Sequence, residues 1–240
     1  MTVITFGSVR GAPGVTTTAL LVAGGIAGSV LAEVDLAGGV LAIRYGLGRE
    51  PGLTTLAASR TGDTDEWKSH AQSAGGVPVL VGPDAPDSSE ALWRGAGVRL
   101  ATALRQIDAA TVVVDVGRMG AGTPMLEASD LVVVLVKPIA EHLVTLGHRL
   151  PALRRAAASA RIGVVLVGDG PYRAGDVVSS LEVDVLGELP DDPRAASALV
   201  DGGRSQTSFA RTRLSRSAAG LSADLARTLD EAAPLMEAGR

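Results

Sequence analysis

The 240-residue sequence contains no cysteine, which excludes disulfide bonds and thiolate metal sites. This absence is typical of proteins from reducing compartments. Aromatic residues make up only 2% of the chain, although 46% of it is hydrophobic. The core must therefore be built from Val, Leu, Ile and Ala, the residues that fill parallel sheets covered by helices.

The chain also lacks a net positive charge and long apolar runs. The net charge is -4, so the chain as a whole does not attract nucleic acid or anionic membranes. No apolar run approaches the roughly 20 residues of a membrane-spanning helix, and residues 1–6 lack the features of a signal peptide and predict a first strand. We expect a soluble, cytoplasmic protein with one domain over residues 1–240.

Apolar runs of strand length alternate with helical patterns along the whole chain. This alternation predicts an α/β fold, a doubly wound, mostly parallel sheet of about seven to eight strands with helices on both faces. A helix predicted over residues 140–158 contains Pro151, which should kink or split it. After the first strand, the expected strands cover residues 29–34, 77–81, 111–116, 131–136, 162–167 and 183–189.

A glycine-rich segment joins the first strand to an Ala/Leu-rich helical pattern. Residues 10–17 read Arg-Gly-Ala-Pro-Gly-Val-Thr-Thr. The first N–H groups of a helix have no partner within it and can bind a phosphate, and glycines let the backbone wrap around that phosphate. The phosphate-loop motif G-x-x-x-x-G-K-[ST] has a lysine where this chain has Val15. The sequence therefore predicts a phosphate-binding loop without its lysine.

Two aspartates follow strands that are expected to lie beside this loop. Asp35 follows the strand predicted over residues 29–34, and Asp115 lies near the end of the strand over residues 111–116. Ligands of such sheets bind beyond the carboxyl ends of the strands, and magnesium-directed carboxylates lie there. The alternative for Asp35 is a purely structural role in a turn.

Five segments in order resemble the MinD/ParA superfamily of deviant-Walker ATPases, P-loop NTPases of the SIMIBI class. Residues 10–17 are similar to the family's loop K-G-G-x-G-K-[ST]-[ST], and residues 35–37 to its D-x-D-P segment. The remaining similarities are residues 79–83 to its "v-L-p-g-p" segment, 113–115 to its Walker B strand and 186–192 to its adenine loop. The loop variant with Val15 is similar to an actinobacterial group akin to CpaE/TadZ, which helps to localise pilus and secretion machinery.

The resemblance implies a role for each matching residue. Thr16 would ligate Mg²⁺, Thr17 would lie near the α-phosphate, and Asp115 would hold the metal through water. Asp35 would be the first switch aspartate and a further metal ligand, and Arg10 would replace the signature lysine that crosses a nucleotide-sandwich dimer. Asp35 and Arg10 are therefore the catalytic candidates. The implied binding set for ATP or ADP is Arg10, Gly11, Ala12, Pro13, Gly14, Val15, Thr16, Thr17, Gly168, Pro190, Asp191 and Asp192, with helix capping as the alternative for the last two.

Two departures from the family's pattern argue against vigorous hydrolysis. Val15 cannot neutralise the β- and γ-phosphates, a loss of about 1.5 to 3 kcal/mol for a charged hydrogen bond. Ala37 replaces the second switch aspartate, which is expected to orient the attacking water. The expectation is a degenerate ParA/MinD-like protein, at most a weak ATPase, that binds nucleotide weakly or not at all. It would act through homodimerisation and protein partners of a pilus, secretion or partitioning system.

Two alternatives remain open at this point. One is an active ATPase in which Arg10 replaces the missing lysine, with ATP-dependent dimerisation in chromosome or plasmid partitioning. The other is a structural scaffold whose glycine loop is only a tight turn.

Two further surfaces bear on the partners. Arg204, Arg211, Arg213 and Arg216 form a local basic cluster, for which a solvated helix face is favoured over DNA binding. Residues 221–240 are amphipathic but acidic, which predicts no direct membrane attachment.

Overall fold

The computed structural model describes residues 1–11, 14–59, 63–200 and 209–237. Its strands are β1 (Thr2–Ser8), β2 (Ser29–Glu33), β3 (Gln72–Ala74), β4 (Val77–Leu80), β5 (Thr111–Arg118), β6 (Leu131–Val136), β7 (Arg161–Val167) and β8 (Asp184–Leu189). Its helices are α1 (Val15–Gly25), α2 (Leu41–Tyr45), α3 (Leu53–Ala58), α4 (Trp67–His70), α5 (Pro86–Leu104), α6 (Ala140–Ala156), α7 (Ala174–Leu181), α8 (Pro193–Val200) and α9 (Arg213–Glu237).

The eight strands form one sheet in the order β3-β4-β2-β5-β1-β6-β7-β8. All neighbouring strands are parallel except β3 and β4, which are antiparallel. Strand β1 lies in the interior of the sheet between β5 and β6, so the loop that follows β1 is flanked by the ends of both. This is the α/β sheet that the sequence predicts.

Helices cover both faces of the sheet, and each face has its own apolar core. On one face, α1 and α9 pack on the strands through residues such as Leu20 and Leu225. On the other face, α3, α5, α6 and α7 contribute residues such as Leu100 and Leu146. All six residues of β6 are buried, as expected for a continuous apolar strand that is covered on both sides.

Four elements differ from the sequence prediction. Helix α6 continues through Pro151 to Ala156, so the predicted split is wrong. Leu146, Leu150 and Leu153 are buried on both sides of the proline, and this packing offsets the local cost of about 3 kcal/mol. Helices α2 and α7 were not predicted, and neither was the short edge strand β3.

The sequence predicts no membrane-spanning helix, because no apolar run is long enough to form one. In the part of the chain that the structure describes, no helix is both long and apolar enough to cross a membrane.

Candidate functional site

A cavity of about 390 Å³ lies where α1 begins, at the carboxyl edge of the sheet. The structure brings together the glycine loop, Asp35 and Ala37 at this cavity, as the sequence predicts, and adds Arg44, Gly117 and Arg118. The lining residues are Ser8, Gly11, Gly14, Val15, Thr16, Thr17, Asp35, Ala37, Arg44, Gly117 and Arg118.

The loop has the backbone geometry of a tight strand-to-helix connection. Gly11 and Gly14 have φ angles of 65° and 78°, in the left-handed region that favours glycine. The Ser8 hydroxyl donates to the Gly11 carbonyl at 3.0 Å and fixes the start of the loop. Two predicted loop residues, Ala12 and Pro13, lie outside the described residues.

The start of α1 supplies backbone donors. The Thr18 N–H donates to the Gly14 carbonyl at 2.8 Å, so the N–H groups before Thr18 precede the first intrahelical bond. The residue before the helix, Gly14, provides no side-chain cap. These N–H groups can therefore bind an anion at the positive end of the helix dipole.

Val15 has a structural role that the lysine of the motif could not fill in the same way. Its side chain is only 4% exposed and belongs to the core between α1 and the sheet. The substitution therefore removes a charge from the cavity and adds apolar packing beneath the loop.

Asp115 is a buried carboxylate beneath this cavity. It lies on β5, paired in register with Phe6 of β1 and Glu33 of β2, and it is fully inaccessible to solvent. Its Oδ1 accepts a hydrogen bond from the Gly117 N–H at 2.9 Å. Among the described residues, its Oδ2 has no hydrogen-bond partner of normal geometry.

The environment of Asp115 opposes its charged form. Burial raises the pKa of this carboxyl from 3.8 to about 6. The nearby Thr16 hydroxyl and the Gly117 N–H partly offset that effect by stabilising the carboxylate, and the charge of Asp35 adds to the rise in pKa. A buried oxygen without a partner, next to a hydroxyl, is a natural ligand for a cation or a water.

Asp35 is a turn aspartate that also borders the cavity, while its role as a metal ligand and switch residue stays a prediction. Its Oδ1 accepts a hydrogen bond from the Ala37 N–H at 2.8 Å, which makes it a turn aspartate, and its side chain also lines the cavity. Burial raises the pKa of Asp35, while the Ala37 N–H and then the charge of Arg118 lower it.

Gly117 allows this aspartate to approach the sheet. It has a φ of 57°, and a Cβ at this position would lie 2.0 Å from Oδ2 of Asp35. Both its conformation and the contact therefore require glycine.

Glu33 is a buried residue beside the site that the sequence analysis did not single out. Its Oε1 accepts hydrogen bonds from the N–H groups of Val40 (2.6 Å) and Leu41 (2.8 Å), and Oε2 accepts one from Gly82 (3.2 Å). Burial raises its pKa, and these hydrogen bonds partly offset the rise. Glu33 thus ties the segment after β2 and the turn after β4 to the sheet. Its only signal in the sequence is a charged residue at the end of an apolar strand.

Arg10 lies away from the cavity. Its Nη2 is 3.5 Å from Oε2 of Glu141 on α6, and both side chains are largely exposed. It is not among the residues that line the cavity. Its role across a dimer stays a prediction.

The residues predicted to contact adenine follow β7 and β8 and do not line the cavity. Gly168 contacts Asp191, since a Cβ on the glycine would lie 3.0 Å from the Asp191 Cβ. The carboxylate of Asp191 accepts a hydrogen bond from Lys137 Nζ at 2.6 Å. Asp192 accepts a hydrogen bond from the Ala195 N–H at 2.9 Å, which confirms the capping alternative for Asp192 at α8. A contact of Gly168, Pro190 or these aspartates with adenine stays a prediction.

The metal candidates form an incomplete ligand set by themselves. Within the described ranges, no group of three or more His, Cys, Asp and Glu side chains is placed to hold a metal. A magnesium ion beside Thr16, Asp35 and Asp115 would therefore need oxygens from a phosphate ligand or from water. The residues present fit a metal that arrives with a nucleotide better than one that is permanently bound.

The basic cluster lies at the start of α9. Arg211, Arg213 and Arg216 are exposed, and Arg216 donates a hydrogen bond to the Arg211 carbonyl at 2.6 Å. Arg204 lies outside the described residues. The solvated-face interpretation of this cluster stays a prediction.

No protein-family model and no curated protein matches this sequence. Solved structures do match the fold. The chain is similar to MinD from Pyrococcus horikoshii OT3 complexed with Mg-ADP, with a TM-score of 0.73 and 17% identity over 93% of this chain and 95% of that chain. It is similar to a ParA family ATPase from Chlorobium tepidum TLS, with a TM-score of 0.73 and 18% identity over 92% and 97% of the two chains.

A third similar structure is a chain of the MinC:MinD cell division protein complex from Aquifex aeolicus. Its TM-score is 0.68, with 14% identity over 94% of this chain and 95% of that chain. The protein therefore has the fold of the MinD/ParA P-loop ATPases.

Proposed function

We propose that this protein binds a nucleoside di- or triphosphate with Mg²⁺ at the loop before α1, and that the nucleotide acts mainly as a regulatory ligand. The observation that carries the proposal is the buried carboxylate of Asp115, with Oδ2 unpartnered among the described residues, beside the Thr16 hydroxyl at the start of α1.

The chemistry of the site fits this ligand. Burying an unpartnered carboxylate oxygen costs free energy, and a hard cation that accepts oxygen ligands would remove that cost. Bound Mg²⁺ would neutralise part of the phosphate charge. The N–H groups at the start of α1 would bind the phosphate oxygens, and the left-handed Gly14 leaves the backbone accessible to them.

The same site supports slow hydrolysis at most. Val15 places a buried methyl-bearing side chain where the motif has a cation. Ala37 has no polar side-chain group to orient water, and its N–H already donates to Asp35. Both missing groups would act on charge that develops in the transition state, so their loss reduces turnover more than ground-state binding.

The cellular role is the finer part of this proposal. The fold matches a chain of the MinC:MinD cell division protein complex, and the loop variant resembles the CpaE/TadZ-like group. We infer a cytoplasmic regulator that forms a homodimer and recruits a protein partner of a pilus, secretion or partitioning system. Neither DNA binding nor direct membrane insertion is part of this role.

Calorimetric titration with Mg-ATP and Mg-ADP tests the binding step. We expect binding by the wild-type protein and a loss of at least tenfold in affinity in Thr16→Ala and Asp115→Asn. Asp87→Asn is the matched control, because Asp87 is an exposed carboxylate in the first turn of α5. Binding that is equal in all four proteins, or absent from the wild type, would refute the proposal.

A turnover assay separates this proposal from an active ATPase. We expect a rate far below 1 per second, the lower end of the common enzyme range. A rate near that value, lost in Arg10→Ala, would instead support an ATPase in which Arg10 replaces the missing lysine.

A further inference from the structure

Two arginines from distant parts of the sequence border the cavity that lacks the motif lysine. Arg44 lies on α2 and Arg118 at the end of β5, and both line the cavity together with Gly14 and Thr16. Arg44 also contacts a small adjoining pocket lined by Thr16 and Thr17. The cavity lining thus contains two positively charged residues from different elements, although Val15 supplies no charge.

Both guanidinium groups are available for a ligand. In the described part of the chain, neither makes a hydrogen bond or an ion pair, although both are exposed beside acidic groups. Arg10, in contrast, pairs with Glu141, and Arg49 pairs with Asp84 at 2.7 Å. Arg44 and Arg118 are thus arginines that line the cavity and have no side-chain partner among the described residues.

The surrounding structure fixes the backbone that carries each arginine. Helix α2 is anchored by its buried Leu41, whose N–H donates to Glu33 at 2.8 Å, three residues before Arg44. The residue before Arg118 is Gly117, whose N–H donates to Asp115 at 2.9 Å. The buried carboxylates Glu33 and Asp115 thus position the two arginines through the backbone.

The charges of the two arginines reach the acidic residues of the site. Arg44 lowers the pKa of Asp115, and Arg118 lowers that of Asp35, in each case against the larger effect of burial. Both arginines also line the same cavity as Thr16 and Asp35, which places them beside a ligand bound there.

We propose that Arg44 and Arg118 replace the missing loop lysine and bind the phosphate oxygens of the nucleotide. The inference rests on the proposed nucleotide-binding function. Guanidinium groups stay charged at every relevant pH and offer two parallel N–H donors to a phosphate, which a lysine cannot do. Val15 can then pack in the apolar core, because Arg44 on α2 and Arg118 on β5 supply the positive charge.

Binding by the full-length variants Arg44→Gln and Arg118→Gln tests the inference. The matched control is Arg94→Gln, since Arg94 is an exposed arginine on α5 that pairs only with Glu90. All proteins are titrated with Mg-ATP, Mg-ADP and inorganic tripolyphosphate, and unchanged melting temperatures establish that the variants fold. We expect each cavity variant to bind Mg-ATP about 10- to 100-fold more weakly, and the control to bind as the wild type does.

Arg44→Lys keeps the positive charge and removes the two parallel N–H donors of the guanidinium group, the guanidinium fork. We expect its affinity to lie between those of the wild type and Arg44→Gln. An Arg44→Lys protein no better than Arg44→Gln would still implicate the guanidinium fork, whereas wild-type affinity in Arg44→Gln itself would overturn the role of Arg44.

The outcomes distinguish this inference from the proposed function. If the wild type binds Mg-ATP and the cavity variants bind it as well as Arg94→Gln does, the inference fails and the proposed function stands. If tripolyphosphate binds in an arginine-dependent way and nucleotides do not, the proposed function fails and the phosphate role of the arginines stands. If neither ligand binds, both are overturned.

Discussion

Glu33 and Asp115 are paired in register on the neighbouring strands β2 and β5, and both carboxyl groups are buried. Burial is the main cause of the raised pKa of Glu33, and the charge of Asp115 adds to it. Both carboxylate oxygens of Glu33 accept hydrogen bonds from backbone N–H groups, whereas Oδ2 of Asp115 has no partner among the described residues. Glu33 therefore holds the adjoining loops through hydrogen bonds, whereas Oδ2 of Asp115 stays available for a ligand.

The pH dependence of stability should reveal the cost of Asp115. The folded pKa of about 6 lies above the usual value of 3.8, so the folded state binds more protons than the unfolded state between these values. The contribution of Asp115 to stability is then most favourable below about pH 4 and falls as the pH rises through 6, by about 3 kcal/mol in total.

Asp115→Asn should remove the contribution of Asp115 in the nucleotide-free protein, while those of Glu33 and Asp35 stay. At pH 8 the variant should unfold with a free energy up to about 3 kcal/mol above that of the wild type, and at pH 4 the difference should be far smaller. Denaturant unfolding at both pH values measures it. The same difference at pH 4 and pH 8 would contradict the burial argument.

Glu33→Ala should release the segment that carries α2. The substitution leaves the N–H groups of Val40, Leu41 and Gly82 without their acceptor, at about 1 to 3 kcal/mol for each group that stays buried. We expect faster hydrogen exchange at Val40 and Leu41. Glu33→Gln is the control, because its remaining oxygen can still accept from these two groups. Unchanged exchange in Glu33→Ala would show that α2 is held by other contacts.

Gly117→Ala should disturb Asp35 directly. Alanine is strained at a φ of 57°, and its Cβ would overlap Oδ2 of Asp35. We expect a stability loss of about 1 to 3 kcal/mol together with weaker Mg-ATP binding. Gly122→Ala is the matched control, since a Cβ there meets nothing within 4 Å. If both alanine variants unfold and bind alike, the close approach of Asp35 has no functional weight.

Val15→Lys tests how far the motif can be restored. The lysine must leave the core to reach the cavity, so we expect a lower melting temperature without nucleotide and recovery of stability with Mg-ATP. Affinity for Mg-ATP should rise about tenfold or more. Turnover should stay low because Ala37 still provides no side chain to orient water, and the double variant with Ala37→Asp should exceed the single one. Full turnover in Val15→Lys alone would contradict the role given to Ala37.

The elements of the fold were predictable from the sequence wherever burial produces a regular pattern of apolar residues. The run over residues 131–136 coincides with β6 because a strand covered on both faces is apolar throughout. Strand β3 carries no such pattern in Gln72–Ala74, and its signal was instead the Gly75-Gly76 pair, which forms the hairpin to β4 with positive φ at both glycines. Pro151 led to a wrong prediction of a split, because the helix is stabilised by side chains that pack on both sides of the proline. That packing cannot be inferred from the local sequence.

Only the site residues that a local motif or a strand end marks could be predicted from the sequence. The glycine loop, Asp35 and Ala37 were found because a motif or a strand end marks them, and the structure places them at one cavity. Glu33, Arg44 and Arg118 gave no comparable signal. Their roles depend on the approach of α2 and of the end of β5 to the loop, and that approach is a tertiary property.

A crystal structure grown with magnesium and a non-hydrolysable ATP analogue tests the central claim most directly. We expect phosphate oxygens at the N–H groups that start α1, a metal ion beside Thr16 and the Oδ2 of Asp115, and Arg44 and Arg118 in contact with the phosphates. An analogue bound elsewhere, or a loop without phosphate at saturating analogue, would contradict it.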